Sequence, residues 1–393
     1  MKMGIYEPDS MHDVPQNIKW VKADGCIIWD EYGDKYLDFS SGIFVANVGH
    51  NNKYVKRYIK RAIKSGVFHS FAWRNEWREK FLGLFHEIFP YKHYKTALFS
   101  DGSMAVDTAL RLAKEFTGRK KIVAFKDSYH GNTHECRRIL SEDADYLLPY
   151  PKSPDADFYE DVSIVKRPEE VAAIIFEPYQ GWSVYTIPDD YEESMESWAN
   201  ENGVVLIADE IQAGFWRTGK LFCHQHHHLG GDAHIQPDMV IWGKGVSSSL
   251  PLSGVTGRER IMSCLDGKTY ISNTHSGNPI ACAAAYGALK FMLEKKIWEN
   301  VKRNEEVMRQ EMCSIMQKFP NLIEDIRCIG MVGAFHLPRK EDSEELSWKV
   351  LKNGLMPIFT HKKTFKIGPP LIMSQSMLRQ GFEIIRTSLE EMI

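Results

Sequence analysis

The chain of 393 residues reads as an α/β protein with a mostly parallel central sheet, helices on both faces, and a smaller α+β domain. Three observations predict this. Between about residues 95 and 245, short apolar runs alternate with helix-period segments, the pattern of strand–helix–strand crossovers. Each run stops abruptly at polar or glycine residues. The length also exceeds what one core of ordinary size needs and leaves room for a second.

Taken in order, the runs at 26–29 and 35–39 flank Gly33 and predict a hairpin. The sheet strands are predicted at 96–99, 121–125, 172–176, 204–208 and 239–242. Ala105, Ala109, Leu112, Ala113 and Phe116 recur at helical spacing, so a helix is predicted over 103–116, stopped by Gly118. After about residue 280, segments 281–293 and 299–319 read as long amphipathic helices, followed by mixed strands. The expected division is a large domain over 51–265 and a small one built from 1–50 and 266–393.

Composition removes several function classes. Hydrophobic residues make up 43% and charged residues 26%, ordinary for a water-soluble globular chain. The formal net charge of −3 carries no basic bias, which argues against nucleic acid as a partner. No apolar stretch approaches the roughly 20 residues that span a bilayer. Seven scattered cysteines without CxxC pairs predict reduced thiols and a cytoplasmic protein. The run His224-Gln225-His226-His227-His228 lacks the spacing of a structural metal site. It reads as a solvated loop, and no metal is expected.

The polar ends of the five strands are Ser100-Asp101-Gly102-Ser103, Asp127 to Gly131, Glu177-Pro178, Asp209-Glu210 and Gly243-Lys244-Gly245. In an open α/β sheet, ligands bind beyond the carboxyl ends of the strands, so these ends converge on one rim. Lys244 and Asp209 there suggest one chemistry. A buried lysine loses its proton more readily and can attack an aldehyde. An acid beside a pyridine nitrogen keeps that nitrogen protonated, so the ring can accept electrons. Together they point to pyridoxal 5′-phosphate (PLP), with Lys244 as its Schiff-base lysine. Gly102 and Ser103, opening the 103–116 helix, supply N–H groups, a helix dipole and a hydroxyl for the phosphate. The same residues also read as a strand-to-helix turn with a serine N-cap. Gln212 can hydrogen-bond the phenolic oxygen, Ile211 can cover one ring face and Tyr129 the other. A nucleotide-binding reading of the 206–210 strand and Gly243-Lys244 fails. The phosphate-loop pattern needs glycine at 238 and Ser or Thr at 245, where the chain has Asp238 and Gly245.

With these residues placed, the chain resembles the class III (omega-type) aminotransferases of PLP fold type I over nearly its whole length. The stretch 206–219, ending Arg217-Thr218-Gly219, is close to that family's acidic-strand signature. Pro237-Asp238 through Gly245, with Leu250 to Gly254, is similar to its lysine segment, and Thr274 to Pro279 to its T-x-x-G-N-P turn. Tyr129-His130-Gly131 and Glu177 to Gly181 complete the set. The resemblance implies ping-pong transamination between an amino donor and a carbonyl acceptor. It implies cofactor contacts at Gly102, Ser103, Tyr129, Glu177, Asp209, Ile211, Gln212 and Lys244, with Glu177 supporting Gln212. It further implies a homodimer in which Thr274 reaches the neighbouring site.

Three departures bear on substrate. Trp182 stands where many members carry Glu, Asn132 where several carry Arg, and Lys366 in Lys366-Ile367-Gly368-Pro369-Pro370 where an Arg often clamps a carboxylate. Lysine keeps the charge but loses the bidentate fork. Phe44, Phe71, Trp73, Trp182 and Lys366 are therefore the candidate substrate residues. An aminomutase of the glutamate-1-semialdehyde type, or a PLP decarboxylase, is the second reading.

Overall fold

The computed structural model describes residues 18–151, 162–226 and 235–393. Its centre is a seven-stranded sheet. The first three strands of the chain, β1 (Trp20–Asp24), β2 (Ile27–Asp30) and β3 (Lys35–Asp38), lie outside it. The sheet comprises β4 (Tyr94–Phe99), β5 (Lys121–Phe125), β6 (Tyr146–Leu148), β7 (Val171–Phe176), β8 (Val205–Asp209), β9 (Met239–Trp242) and β10 (Ser253–Arg258). Their order is β4-β10-β9-β8-β7-β5-β6, with only β10 antiparallel to its neighbours. All five predicted strands are present, each within two residues of its expected ends.

Continuous apolar runs form these strands because both sheet faces are covered. Along β7 every residue is buried. Alternate side chains then serve different cores. Ala173 and Ile175, with Ile207 and Ile241, pack on the helix Gly102–Thr117, while Ile174 and Phe176, with Leu206, pack against Tyr191 and Met195 of Asp189–Asn202. Each buried Ile, Leu, Phe or Met side chain among them contributes roughly 1.5–3 kcal/mol by leaving water.

The predicted helix over 103–116 spans Gly102–Thr117 and ends at Gly118, whose φ of 70° is left-handed and suits glycine. The serine cap is corrected. Asp101 is the N-cap, with Oδ1 accepting from Met104 N at 3.1 Å, and Ser103 lies inside the first turn.

The hairpin across Gly33 forms as β2 and β3. The segment predicted at 281–293 is the helix Pro279–Glu294, but an amphipathic reading undersells its burial. Ala281 to Ala285 are all buried, and a Cβ on Gly287 would lie 3.0 Å from Tyr54 O. Small residues there let helices Lys53–Lys64 and Glu76–Ile88 approach closely, with Tyr58 and Tyr286 ring centroids 5.0 Å apart. The last strands are β11 (Asp325–Ile329), β12 (Val332–His336), β13 (Leu355–Met356) and β14 (Thr364–Ile367). β13 pairs with β3, so the two ends of the chain share a four-stranded sheet. The other three form a separate sheet in the order β11-β12-β14. Among the described residues no helix is long and apolar enough to cross a membrane.

Candidate active site

The parallel strands β5, β7, β8 and β9 deliver their carboxyl ends to one edge, and β4 adds its own. Beyond that edge lies a cavity of about 370 Å³, lined by Gly102, Ser103, Tyr129, Glu177, Asp209, Ile211, Gln212 and Lys244 among others. Eight of the nine predicted cofactor residues thus share one wall. Thr274 is apart from them, exposed on the surface.

Asp209 ends β8 and is almost fully buried. Its Oδ1 accepts from Ile211 N at 3.1 Å, and its Oδ2 lies 2.7 Å from His130 Nδ1. Burial pulls the His130 proton affinity down, but the hydrogen bond and charge of Asp209 outweigh it, and the net direction is up. Sequence reasoning quoted His130 only as part of a motif and missed this pairing. The signal was its place at the end of β5, two strands from Asp209.

Lys244 follows the adjacent strand β9, whose Ile241 is in register with Asp209. Its φ of 40° is left-handed, a conformation costing a non-glycine residue on the order of 1–2 kcal/mol. The neighbouring glycines make this geometry possible, since a Cβ on Gly245 would lie 2.3 Å from Asn47 Nδ2. The Lys244 amine opens on the cavity with no hydrogen bond among the described residues. Burial lowers its pKa below the usual lysine range, only partly countered by Asp209 and Glu177.

A second feature is the helix start. The first N–H groups of a helix lack intrahelical acceptors. Asp101 takes that of Met104, leaving those of Gly102 and Ser103 at the cavity wall. A Cβ on Gly102 would stand 2.8 Å from Ile211 Cδ1, and one on Gly131 would stand 2.4 Å from Ser103 Oγ. Ser103 Oγ also accepts from Asn132 N at 3.2 Å.

Glu177 does not support Gln212 as expected. Its Oε2 accepts from Tyr129 N at 3.1 Å and Gly181 N at 3.2 Å. Gln212 is held instead by Lys366, whose amine donates to Oε1 at 2.5 Å. The substrate candidates disperse. Lys366 is buried behind Gln212, and Phe44 is buried beneath Lys366 and Arg217. Trp182 meets the Tyr129 ring edge-on at 5.9 Å, while Phe71 is exposed and Trp73 is 80% exposed. The histidine run is not a solvated loop at its start. His224 is fully buried between Glu210 Oε1 (2.8 Å) and Tyr91 Oη (2.7 Å), and His226 Nε2 lies 3.1 Å from Thr218 Oγ1. His227 and His228 lie outside the described residues.

Comparison with known proteins shows the family. The family model described as Aminotransferase class-III matches residues 10–389. A 4-aminobutyrate aminotransferase of Escherichia coli is 30% identical, over 94% of this chain and 93% of its own. An ornithine aminotransferase of Saccharomyces cerevisiae is 28% identical, over 98% of this chain and 96% of its own. Among solved structures, an S-selective transaminase from Arthrobacter sp. superposes with a TM-score of 0.89 at 23% identity, covering 99% of this chain and 96% of that one. A taurine:2-oxoglutarate aminotransferase from Bifidobacterium kashiwanohense, solved with PLP and glutamate, gives 0.86 at 24% identity, covering 95% and 92%. These relatives favour transamination over the aminomutase or decarboxylase reading.

Proposed function

The chain belongs to the class III aminotransferases, PLP-dependent enzymes of fold type I, and from that premise we propose which of its residues carry the reaction. The observation that supports the assignment is the shared cavity wall. Lys244, Asp209, Gln212, Ile211, Tyr129, Gly102 and Ser103 all border one space. The two glycine positions, where a Cβ would collide, and the unbonded Lys244 amine fit a flat phosphorylated aldehyde. When bound, PLP supplies an electron sink for a carbanion beside the transferred nitrogen.

In this reading Gly102 N–H, Ser103 N–H and Ser103 Oγ bind the phosphate at the helix start. Asp209, oriented by His130 and Ile211 N, holds the proton at the pyridine nitrogen. Ile211 and Tyr129 would flank the ring, and the Gln212 amide would donate to its phenolic oxygen. Lys244, as a neutral amine, would hold the aldehyde covalently with loss of water, and once displaced by a donor amine its Nζ would take up and return a proton. Glu177 acts at one remove, holding the Tyr129 and Gly181 backbone.

We further propose a homodimer with Thr274 reaching the partner's phosphate site, and a cytoplasmic location consistent with seven unpaired thiols. Borohydride reduction of the PLP-loaded protein, followed by peptide mapping, tests the central assignment. We expect the phosphopyridoxyl group on Lys244 and none in Lys244→Ala. A label on another lysine overturns it.

A further inference from the structure

Lys366 sits on β14, in register with Ala334 of β12, and is 1% exposed. Its amine donates to Gly181 O and to Gln212 Oε1, and it lies 4.6 Å over the Phe44 ring and 5.6 Å over that of Tyr179. Burial, with the positive charge of Lys244 behind it, pulls its pKa well below the usual lysine range. The amine is thus buried behind Gln212 and already bonded to two protein acceptors. A substrate carboxylate would have to displace them to reach it.

The contact has a directional consequence. The same amine donates to a backbone carbonyl, so towards Gln212 it meets the amide oxygen and leaves the amide N–H₂ for the other side. Gln212 borders the cavity. The second bond reaches the same wall by another route: Lys366 holds Gly181 O, Gly181 N–H donates to Glu177, and Glu177 holds Tyr129 N. A site is most exact when its supports stand on regular elements, and β14 is one.

We propose that Lys366 is a positioning residue, fixing the Gln212 amide with its oxygen turned away from the cavity and its N–H₂ turned into it. This rests on the reading of Gln212 as a cofactor contact. Lys366 therefore does not serve as a carboxylate clamp, and a cavity-facing cation is not its contribution to substrate choice.

The test is a double-mutant cycle of Lys366→Met and Gln212→Ala in the full-length protein. Three quantities are read: the PLP dissociation constant, the pH midpoint of the bound cofactor's visible band, and kcat/KM for a carboxylate-bearing donor and an uncharged amine. Lys366→Met is expected to weaken PLP binding roughly tenfold, the scale of one hydrogen bond, and to move the pH midpoint. It should lower kcat/KM for both donors by the same factor. In the Gln212→Ala background Lys366→Met should cost less than it does in the parent, the remainder being the Gly181–Glu177 route. Full additivity, or a loss confined to the carboxylate donor, overturns the proposal. If Lys366→Met does not fold, Lys366→Gln, whose shorter side chain keeps an amide N–H₂ but carries no charge, takes its place in the cycle. Failure of the underlying cofactor assignment is separately visible, as absence of label at Lys244 in the unsubstituted protein.

Discussion

Glu177 illustrates how a single buried carboxylate is tied to pH. Burial raises its pKa to about 6, although His130 and two backbone N–H groups pull the other way. The ionised form is the one the fold disfavours. Its contribution to stability is therefore full below the ordinary value of 4.5 and is lost as pH rises through 6. The difference amounts to about 2 kcal/mol. Glu177→Gln can keep both backbone bonds through its amide oxygen while removing the charge. We expect its stability relative to the parent to rise by about 2 kcal/mol between pH 4 and pH 7.5, measured by urea unfolding at each pH. Parallel pH profiles for the two proteins would contradict this. Lys244 shows the complementary case, a strained backbone and an amine without a hydrogen bond among the described residues, at a position the sequence already singled out. It was legible because glycines flank it and an apolar strand precedes it. The sequence also singled out Lys366, but not its contact with Gln212, which lies 154 residues away and is reached only through the fold.

At the scale of elements, the segment 41–44 carries the cost of placing Val45 on the cavity wall. Ser41, Gly42, Ile43 and Phe44 have φ of 49°, 57°, 59° and 66°, a left-handed turn in which only Gly42 is at ease. Its pins are specific. Asp38 Oδ1 accepts from Ser40 N and Ser41 N at 2.8 and 2.9 Å, and Ser41 Oγ donates to Gly368 O at 2.6 Å. Arg217, fully buried, donates to Met331 O (2.9 Å), Pro369 O (2.6 Å) and Asn47 Oδ1 (2.7 Å), and its guanidinium lies 5.1 Å over the Phe44 ring. Burial brings its pKa down to about 10, so it stays charged at neutral pH and ties four chain segments together. Arg217→Met leaves three buried acceptors without a donor. A loss of roughly 3–5 kcal/mol in urea-unfolding free energy is expected. A change below 1 kcal/mol would show that water replaces the guanidinium at little cost. The strand ends were readable because a parallel sheet demands unbroken apolar runs with polar termini. The turn at 41–44 was not, because Ile43 and Phe44 have no local preference for that conformation and adopt it only under these long-range bonds.

The largest scale concerns what one chain leaves uncovered. Val67, Phe68, Phe71 and Trp73 are exposed on one loop, and Tyr270 is 84% exposed nearby in sequence to Thr274. The two stretches form one face. Arg78 donates to Ser70 O (3.1 Å), Trp73 O and Gly277 O (both 3.3 Å), Asn278 Nδ2 donates to Phe68 O (3.0 Å), and the His69 and His275 rings stand 5.5 Å apart. These bonds hold large apolar groups outward, a costly arrangement for a monomer and the usual mark of an interface. The proposed second copy would cover this face, and Thr274, exposed and outside the cavity lining of its own chain, belongs to the same stretch. Sedimentation should therefore give twice the chain mass. Trp73→Glu, which would place a charge within the proposed contact, should yield monomers that bind PLP weakly. Thr274→Ala should stay dimeric but bind PLP roughly tenfold more weakly, the loss of a hydroxyl–phosphate hydrogen bond. The two variants separate assembly from site completion. A parent protein that sediments as a fully active monomer would remove the interface, whereas an inert Thr274→Ala would leave the dimer and remove only the residue's reach across it.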